Sequence, residues 1–335
     1  MGLKQKIRIA IFLPLLFLGD RLAFSETDKV SLKVSPVLDA PDFISINFPT
    51  LAPSTKKAYD LTSVFYRDSE RGPSVSPATL EQLLKAIELN NIDNAKRLII
   101  GLDINAQDKR GITPLYKSVF HNRFSFINLL LKRGANTNIP DYEGLSPLHV
   151  VALENLDMLP ALLLDHGAEI EAKDSFGYTP LHLAADQNST ETAQTLIERG
   201  ANVNNRSGWG NTPLHAATAQ GNIKLIKLLL KKGAEIGAID RLGRTALHWV
   251  AEKGYLNIAK FLIINGAPVH HKDNDGHTPL HEAAKWDQKK MIKLFLTHGA
   301  NVNSKGSDGR GPLHIAIANG NMDIANLLKK HGAEL

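Results

Sequence analysis

The chain has 335 residues and a mass of 36.7 kDa, and 43% of its residues are hydrophobic and 22% charged. This is the composition of a globular protein, and it excludes collagen-like, mucin-like and wholly disordered chains. The absence of cysteine excludes disulfides, thiolate zinc sites and cysteine nucleophiles. Four basic residues against one aspartate place +3 of the net charge of +5 within residues 1–25, so the rest of the chain carries only +2. We therefore expect no nucleic-acid partner.

Residues 1–25 have the pattern of a secretory signal peptide. A basic start with Lys4, Lys6 and Arg8 precedes an apolar run over 9–18, and small residues at 23 and 25 suit cleavage before Glu26. Ten apolar residues are too few for a membrane span, which needs about 20. An uncleaved signal anchor in the inner membrane is the alternative, and it is the only membrane contact expected. Export without cysteine favours a bacterial envelope protein, either periplasmic or secreted.

The segment 26–77 differs from the rest of the chain. It contains six prolines among serine, threonine and aspartate and shows no helical periodicity, so we interpret it as a linker or tether. Residues 43–48 alternate between apolar and polar enough for one strand-like stretch. An alternative function follows, in which 26–77 is the active or inhibitory segment and the remaining chain only positions it.

A tetrapeptide recurs seven times at an interval of 33 residues. It reads Thr-Pro-Leu-His or a close variant and begins at Thr113, Ser146, Thr179, Thr212, Thr245, Thr278 and Gly311. A Gly-Ala pair keeps the same interval and begins at Gly134, Gly167, Gly200, Gly233, Gly266, Gly299 and Gly332. Because the tetrapeptide and the Gly-Ala pair both keep the 33-residue interval over most of the chain, they predict an array of structural repeats.

The residues of each repeat predict a turn followed by two antiparallel helices. The tetrapeptide hydroxyl suits a helix N-cap and the proline suits the first turn, while the leucine begins an apolar stripe. A second helix follows, as in Ile223–Leu230, with apolar residues at i, i+3 and i+4. The Gly-Ala glycine can end that helix, and the Asp-x-x-Gly that comes next is typical of a turn. Such units bury their apolar faces only by stacking on their neighbours.

This pattern resembles the ankyrin repeat over about residues 80–335. The resemblance implies an all-α solenoid of stacked helix-turn-helix units with β-turn or hairpin tips. It also implies a non-catalytic scaffold whose partner, a protein, lies on the concave side made by the tips and the first helices. The repeats would span a degenerate N-terminal capping repeat at 78–107, then 108–140, 141–173, 174–206, 207–239, 240–272, 273–305 and a C-terminal cap at 306–335.

No motif points to catalysis or to a cofactor. The chain has no Gly-x-Ser-x-Gly, phosphate loop, His-Glu-x-x-His or dinucleotide fingerprint, so we expect neither an enzyme nor a small-molecule substrate. The resemblance gives a structural role to six of the 13 histidines, which are His149, His182, His215, His248, His281 and His314. A metal site at His270, His271 and His277 is an alternative, but a neighbouring turn aspartate is already required by the fold, so no metal is expected.

Apolar residues recur at tip positions that are expected to face solvent and that could equally be polar. One column of tip positions contains Phe176, Trp209 and Leu242, and a second contains Ile112, Leu145 and Tyr178, with Tyr142 beside them and Trp286 at the end of a first helix. A row of such side chains across neighbouring repeats would form a contiguous patch, which is typical of an interaction site. The alternative is that the tip aromatics only pack on neighbouring tips.

Overall fold

The computed structural model describes residues 77–335. The predicted signal peptide at 1–25 lies outside the described residues, as does the predicted linker up to its last residue, Pro77. Sixteen helices and no strand occur in the described part, and none of these helices is long and apolar enough to cross a membrane. The helices are α1 Pro77–Glu88, α2 Ile92–Leu98, α3 Pro114–Phe120, α4 Phe124–Lys132, α5 Pro147–Glu154, α6 Leu159–Asp165, α7 Pro180–Asp186, α8 Thr190–Glu198, α9 Pro213–Ala219, α10 Ile223–Lys231, α11 Ala246–Lys253, α12 Leu256–Ile264, α13 Pro279–Lys285, α14 Lys289–Thr297, α15 Pro312–Ala318 and α16 Met322–Lys330.

The tetrapeptide starts the first helix of each repeat, and α7 shows how. Thr179 is extended, its hydroxyl accepts a hydrogen bond from the backbone N–H of His182, and Pro180 occupies the first turn. The imidazole closes the cap, because His182 Nδ1 accepts the Thr179 N–H at 3.2 Å and lies 2.8 Å from its hydroxyl. This reciprocal cap satisfies backbone donors that a helix start leaves without partners.

Residues in the left-handed region separate the two helices of each repeat. They are all glycine, asparagine or aspartate, the types that adopt positive φ at least cost, and they recur every 33 residues at Asn122, Asn155, Asn188, Gly221, Gly254, Asp287 and Gly320. The second helix ends at the Gly-Ala pair. At Gly167, φ is +83° and the Ala168 N–H donates to Leu163 O at 3.0 Å, which closes the last turn.

The repeats stack through one continuous core. Each first helix packs against the first helix of the next repeat and against the second helix of its own. Fully buried alanines such as Ala184 and Ala185 let these helices approach closely. The leucine of every tetrapeptide is buried in this core, at Leu115, Leu148, Leu181, Leu214, Leu247, Leu280 and Leu313. The predicted all-α solenoid of stacked helix-turn-helix units is confirmed.

The tips are turns that hydrogen-bond to one another. Asp174 Oδ1 accepts the N–H groups of Phe176 and Tyr178, and the Gly208 N–H of the next tip donates to Phe176 O at 2.7 Å. One backbone hydrogen bond of this kind joins each pair of neighbouring tips among the seven. The first is donated by the Tyr142 N–H to Arg110 O, and the last by the Ser307 N–H to Asp275 O. In the described residues the tips are therefore turns held in a row, with no strand pairing.

Candidate interaction site on the tip face

The tips lie against the first helices, and together they form a surface that we call the tip face. Tyr116 of α3 donates its hydroxyl hydrogen to Asp141 of the next tip at 2.7 Å. Arg244, which directly follows a tip, lies 4.3 Å from the ring centroid of Trp249 in α11, and its Nη1 is 3.8 Å from a carboxylate oxygen of Glu252. Because these contacts cross from turn to helix, the tip face has a defined shape without a partner.

The first predicted column does present apolar surface. Leu242 is 37% exposed, whereas Phe176 and Trp209 are half-buried and pack against the core with part of each ring accessible. Tyr142 is the most open of the group at 66% exposed. These four side chains come from four successive repeats. Trp286 is also exposed, but it follows α13 and donates its Nε1–H to Glu282 at 3.3 Å.

The second predicted column is not on the surface. Ile112, Leu145 and Tyr178 are only 8%, 9% and 5% exposed and belong to the core. The expectation that they face solvent is therefore wrong. This position directly follows the turn glycine, where both its N–H and its C=O bond to the turn aspartate, and its side chain packs under the tip. Tyr178, for example, meets the ring of His182 edge-on at 5.8 Å.

Three carboxylates belong to the tips of the second and third repeats, the same tips that contain Tyr142 and Phe176. Asp141, Glu143 and Asp174 are half-buried, and none of them lies within 4.0 Å of a lysine or arginine nitrogen among residues 77–335. Burial raises the pKa of Glu143, and the charges of Asp141 and Asp174 raise it further. Burial also raises the pKa of Asp174, to about 6. The patch therefore combines aromatic surface with carboxylates that form no salt bridge to lysine or arginine within the described residues.

Asp186 is a site residue that the sequence analysis missed. It lies at the end of α7, is buried, and accepts hydrogen bonds from the side-chain amides of Gln187 and Gln220 at 3.0 and 3.2 Å. Burial raises its pKa to about 6. One sequence signal could have identified Asp186, because the equivalent positions of four other repeats are apolar, at Phe120, Leu153, Ala219 and Ala318.

The tetrapeptide histidines tie successive repeats together. In four of the six, Nε2 lies near the carbonyl oxygen 29 residues further on, at 3.0 Å for His149 and His182 and at 3.2 Å for His215 and His248. Burial lowers the pKa of His149 and of His182 to about 4. The structural role that the resemblance gave to these four histidines is confirmed.

The predicted alternative metal site does not assemble. His270 is exposed, and His271 bonds through Nε2 to Gly243 O at 3.0 Å, so His277 does not converge with them. In the part of the chain that the structure describes, the one group of three potential ligands consists of Asp273, His277 and Glu282. Glu282 lies in α13 and was not singled out by the sequence analysis.

Comparison with known proteins agrees with this architecture. The family model described as Ankyrin repeats (3 copies) matches residues 83–174, 155–240, 181–273 and 247–335. These overlapping matches cover the chain continuously from residue 83 to its last residue. No curated protein matches the sequence.

Proposed function

Because the chain belongs to the ankyrin-repeat family, we propose that it is a non-catalytic scaffold that binds a protein partner through its tip face. Ankyrin repeats are generally protein–protein interaction modules. The observation that supports this site is the row of Tyr142, Phe176, Trp209 and Leu242 across four successive repeats. Aromatic side chains that are partly exposed but anchored at their base are frequent anchors of interfaces.

The rigidity of the tips favours binding by this row. Hydrogen bonds between successive tips and their packing on the first helices hold the apolar side chains in place before a partner arrives. A surface that is already ordered loses less conformational entropy on association than a mobile loop does. A stable complex of standard size would bury about 800 Å² on this side.

The charge of the same surface indicates the chemistry of the partner. Glu143 and Asp174 lie in the neighbouring tips that include Phe176, and neither forms an ion pair in the described structure. A positive charge on a partner would relieve their mutual repulsion. Electrostatic complementarity steers association and selects partners. We therefore propose that the partner contributes a segment that combines lysine or arginine with an apolar side chain.

Panning a library of random dodecamer peptides against the full chain tests this function. We expect the selected peptides to be rich in lysine and arginine, and Trp209→Ala and Phe176→Ala to weaken their binding at least tenfold. Glu143→Gln should weaken it mainly at low salt, because its contribution is electrostatic. Met158→Ala is the matched control, since Met158 is an exposed apolar side chain outside the tips.

Each arm of this experiment has its own negative outcome. If no peptide is selected, the scaffold function is unsupported, and equal effects of Trp209→Ala and Met158→Ala would place binding elsewhere. Selected peptides without basic residues would contradict the partner chemistry alone. A variant that lacks residues 26–77 tests the alternative in which that segment is the active one, because binding should then disappear.

We also propose that the chain is exported, to the periplasm or beyond the cell. The support is the order of the basic start at Lys4, Lys6 and Arg8, the apolar run over 9–18 and the small residues before Glu26. An uncleaved signal that anchors the chain in the inner membrane is the alternative.

A further inference from the structure

We propose that Asp273, His277 and Glu282 form a binding site for a divalent transition-metal ion, with zinc as the ion that best suits these ligands. One potential ligand atom from each residue lies within 4.8 Å of the other two, and all three residues are half-buried. Asp273 begins a tip, His277 follows the turn glycine and Glu282 lies in α13. The site is separate from the apolar row and does not depend on the proposed function.

The other repeats act as internal controls for this arrangement. The three equivalent positions hold Asp108, Ile112 and Lys117; Asp141, Leu145 and Val150; Asp174, Tyr178 and Leu183; Ser207, Asn211 and Ala216; Asp240, Arg244 and Trp249; and Gly306, Arg310 and Ile315. Only the repeat that begins at Asp273 has a metal-ligating side chain at all three. The stacking of repeats requires none of these donors at the last two positions, although Glu282 also accepts the Nε1–H of Trp286.

The preceding repeat shows that the fold brings these three positions together around a positive charge. Arg244 Nε lies 3.1 Å from Asp240 Oδ2, and its guanidinium lies over the Trp249 ring. At the repeat of Asp273, the residue equivalent to Arg244 is His277, which carries no guanidinium group. A bound cation would occupy the position that the guanidinium fills one repeat earlier.

The His277 ring is held in place by a neighbouring ring. It stacks on His281 with the centroids 5.0 Å apart and an interplanar angle of 24°. Nε2 of His277 is buried and forms no hydrogen bond within residues 77–335. An oriented imidazole with an uncommitted nitrogen is suited to metal binding.

The turn orients the Asp273 carboxylate in the same way. Its Oδ1 accepts the N–H groups of Asp275 and His277 at 2.9 and 2.8 Å, which fixes the carboxylate while Oδ2 remains for a ligand bond. Such outer hydrogen bonds orient metal ligands and favour binding.

The donor set selects the ion. One imidazole and two carboxylates suit zinc and neighbouring transition metals, whereas calcium and magnesium prefer oxygen alone. Zinc–nitrogen and zinc–oxygen bonds of about 2.0–2.2 Å require donors about 3.4 Å apart in a tetrahedral site. The long Glu282 side chain can close the remaining distance by rotation, and water would complete the coordination.

Calorimetric titration of zinc chloride into the full chain tests the site. We expect one ion per chain, and an affinity at least tenfold lower for His277→Gln and for Glu282→Gln. His270→Gln is the matched control, because His270 is an exposed histidine seven residues away that lies outside the trio. Asp273→Asn should also weaken zinc binding, while its amide oxygen can still accept the two turn N–H groups.

Circular dichroism melts without metal establish that the variants fold. Should they unfold, anomalous diffraction at the zinc edge from soaked wild-type crystals decides the question without any substitution. A zinc peak between Asp273, His277 and Glu282 supports the proposal. Absence of zinc binding by the wild-type chain, a peak at other residues, or binding that survives both His277→Gln and Glu282→Gln overturns it.

Discussion

At the scale of single residues, the tetrapeptide histidines couple the caps of helices to the stacking of repeats. In His182, Nδ1 accepts the Thr179 N–H and faces its hydroxyl, so Nε2 must bear the hydrogen that is donated to Asn211 O. This network assigns the neutral tautomer. Protonation of Nδ1 would convert an acceptor into a donor and break the cap, which agrees with the lowered pKa of this buried ring.

Stability should therefore depend on pH through these rings. The pKa of His182 is about 4 when folded and 6.5 for the free side chain, so the unfolded chain binds more protons between these values. Its contribution to stability is complete above pH 6.5 and is lost as the pH falls toward 4, and the loss amounts to about 2 kcal/mol at pH 5. Asp174 and Asp186 act in the opposite direction, because burial raises their pKa to about 6 and their protonation favours the folded state.

A substitution that cannot titrate isolates the histidine. We expect His182→Gln to be less stable than the wild type at pH 7. Between pH 7 and pH 5, however, its free energy of unfolding should fall by about 2 kcal/mol less than that of the wild type. Urea unfolding at the two pH values measures this difference. His270→Gln removes an exposed ring and should leave the pH dependence unchanged. Parallel pH profiles for His182→Gln and the wild type would show that the ring is already charged at pH 5 in the folded protein.

At the scale of structural elements, the contact between neighbouring tips depends on the turn glycine. Gly177 has φ of +76°, and a Cβ built on it would lie 2.7 Å from the backbone nitrogen of Gly208. That nitrogen donates to Phe176 O, so the glycine permits both the turn and the approach of the next tip. Gly167 at the end of α6 also has positive φ, +83°, but a Cβ there would meet no atom within 4 Å.

Substituting each of these two glycines by alanine distinguishes the cost of backbone strain from the cost of a steric clash between tips. Gly167→Ala should cost about 1–2 kcal/mol, the strain of positive φ alone. Gly177→Ala should lower the free energy of unfolding by roughly 1–3 kcal/mol more than Gly167→Ala does, because the added methyl group also pushes two tips apart. Chemical denaturation gives the two free energies of unfolding, and hydrogen exchange should show that the Gly208 amide loses protection only in Gly177→Ala. Equal costs for the two variants would mean that the tips separate without penalty.

At the scale of the whole molecule, the described repeats depend on one another for stability. Residues 77–335 form repeats that bury their tetrapeptide leucines against neighbouring repeats, so the stability of each depends on the next. Residues 1–25 lack the 33-residue period, and we propose that their pattern directs export.

Processing of the full chain tests export. On expression in a bacterium we expect the mature protein outside the cytoplasm with Glu26 as its first residue, read by N-terminal sequencing after cell fractionation. A double variant with Ala23→Lys and Ser25→Lys should remain uncleaved and sediment with the inner membrane, because the peptidase requires small residues at these positions. An intact N-terminus in the cytoplasmic fraction of wild-type cells would refute export.

The sequence by itself determined the repeat, the number of helices in it and the residues that start and end them. It could do so because capping, turn formation and apolar periodicity act over a few residues and recur every 33. Thr179, Pro180 and His182 illustrate this, since each interacts with its own turn or with the next repeat at a constant offset.

Only the tertiary structure decided which tip side chains are accessible and which polar groups converge. Phe176 and Tyr178 are two residues apart and both aromatic, yet Phe176 retains exposed surface while Tyr178 is buried. Asp273 and Glu282 likewise meet His277 only because the tip folds back onto α13. Exposure and convergence depend on how one rigid element is rotated against the next, and a linear period contains no information about that rotation.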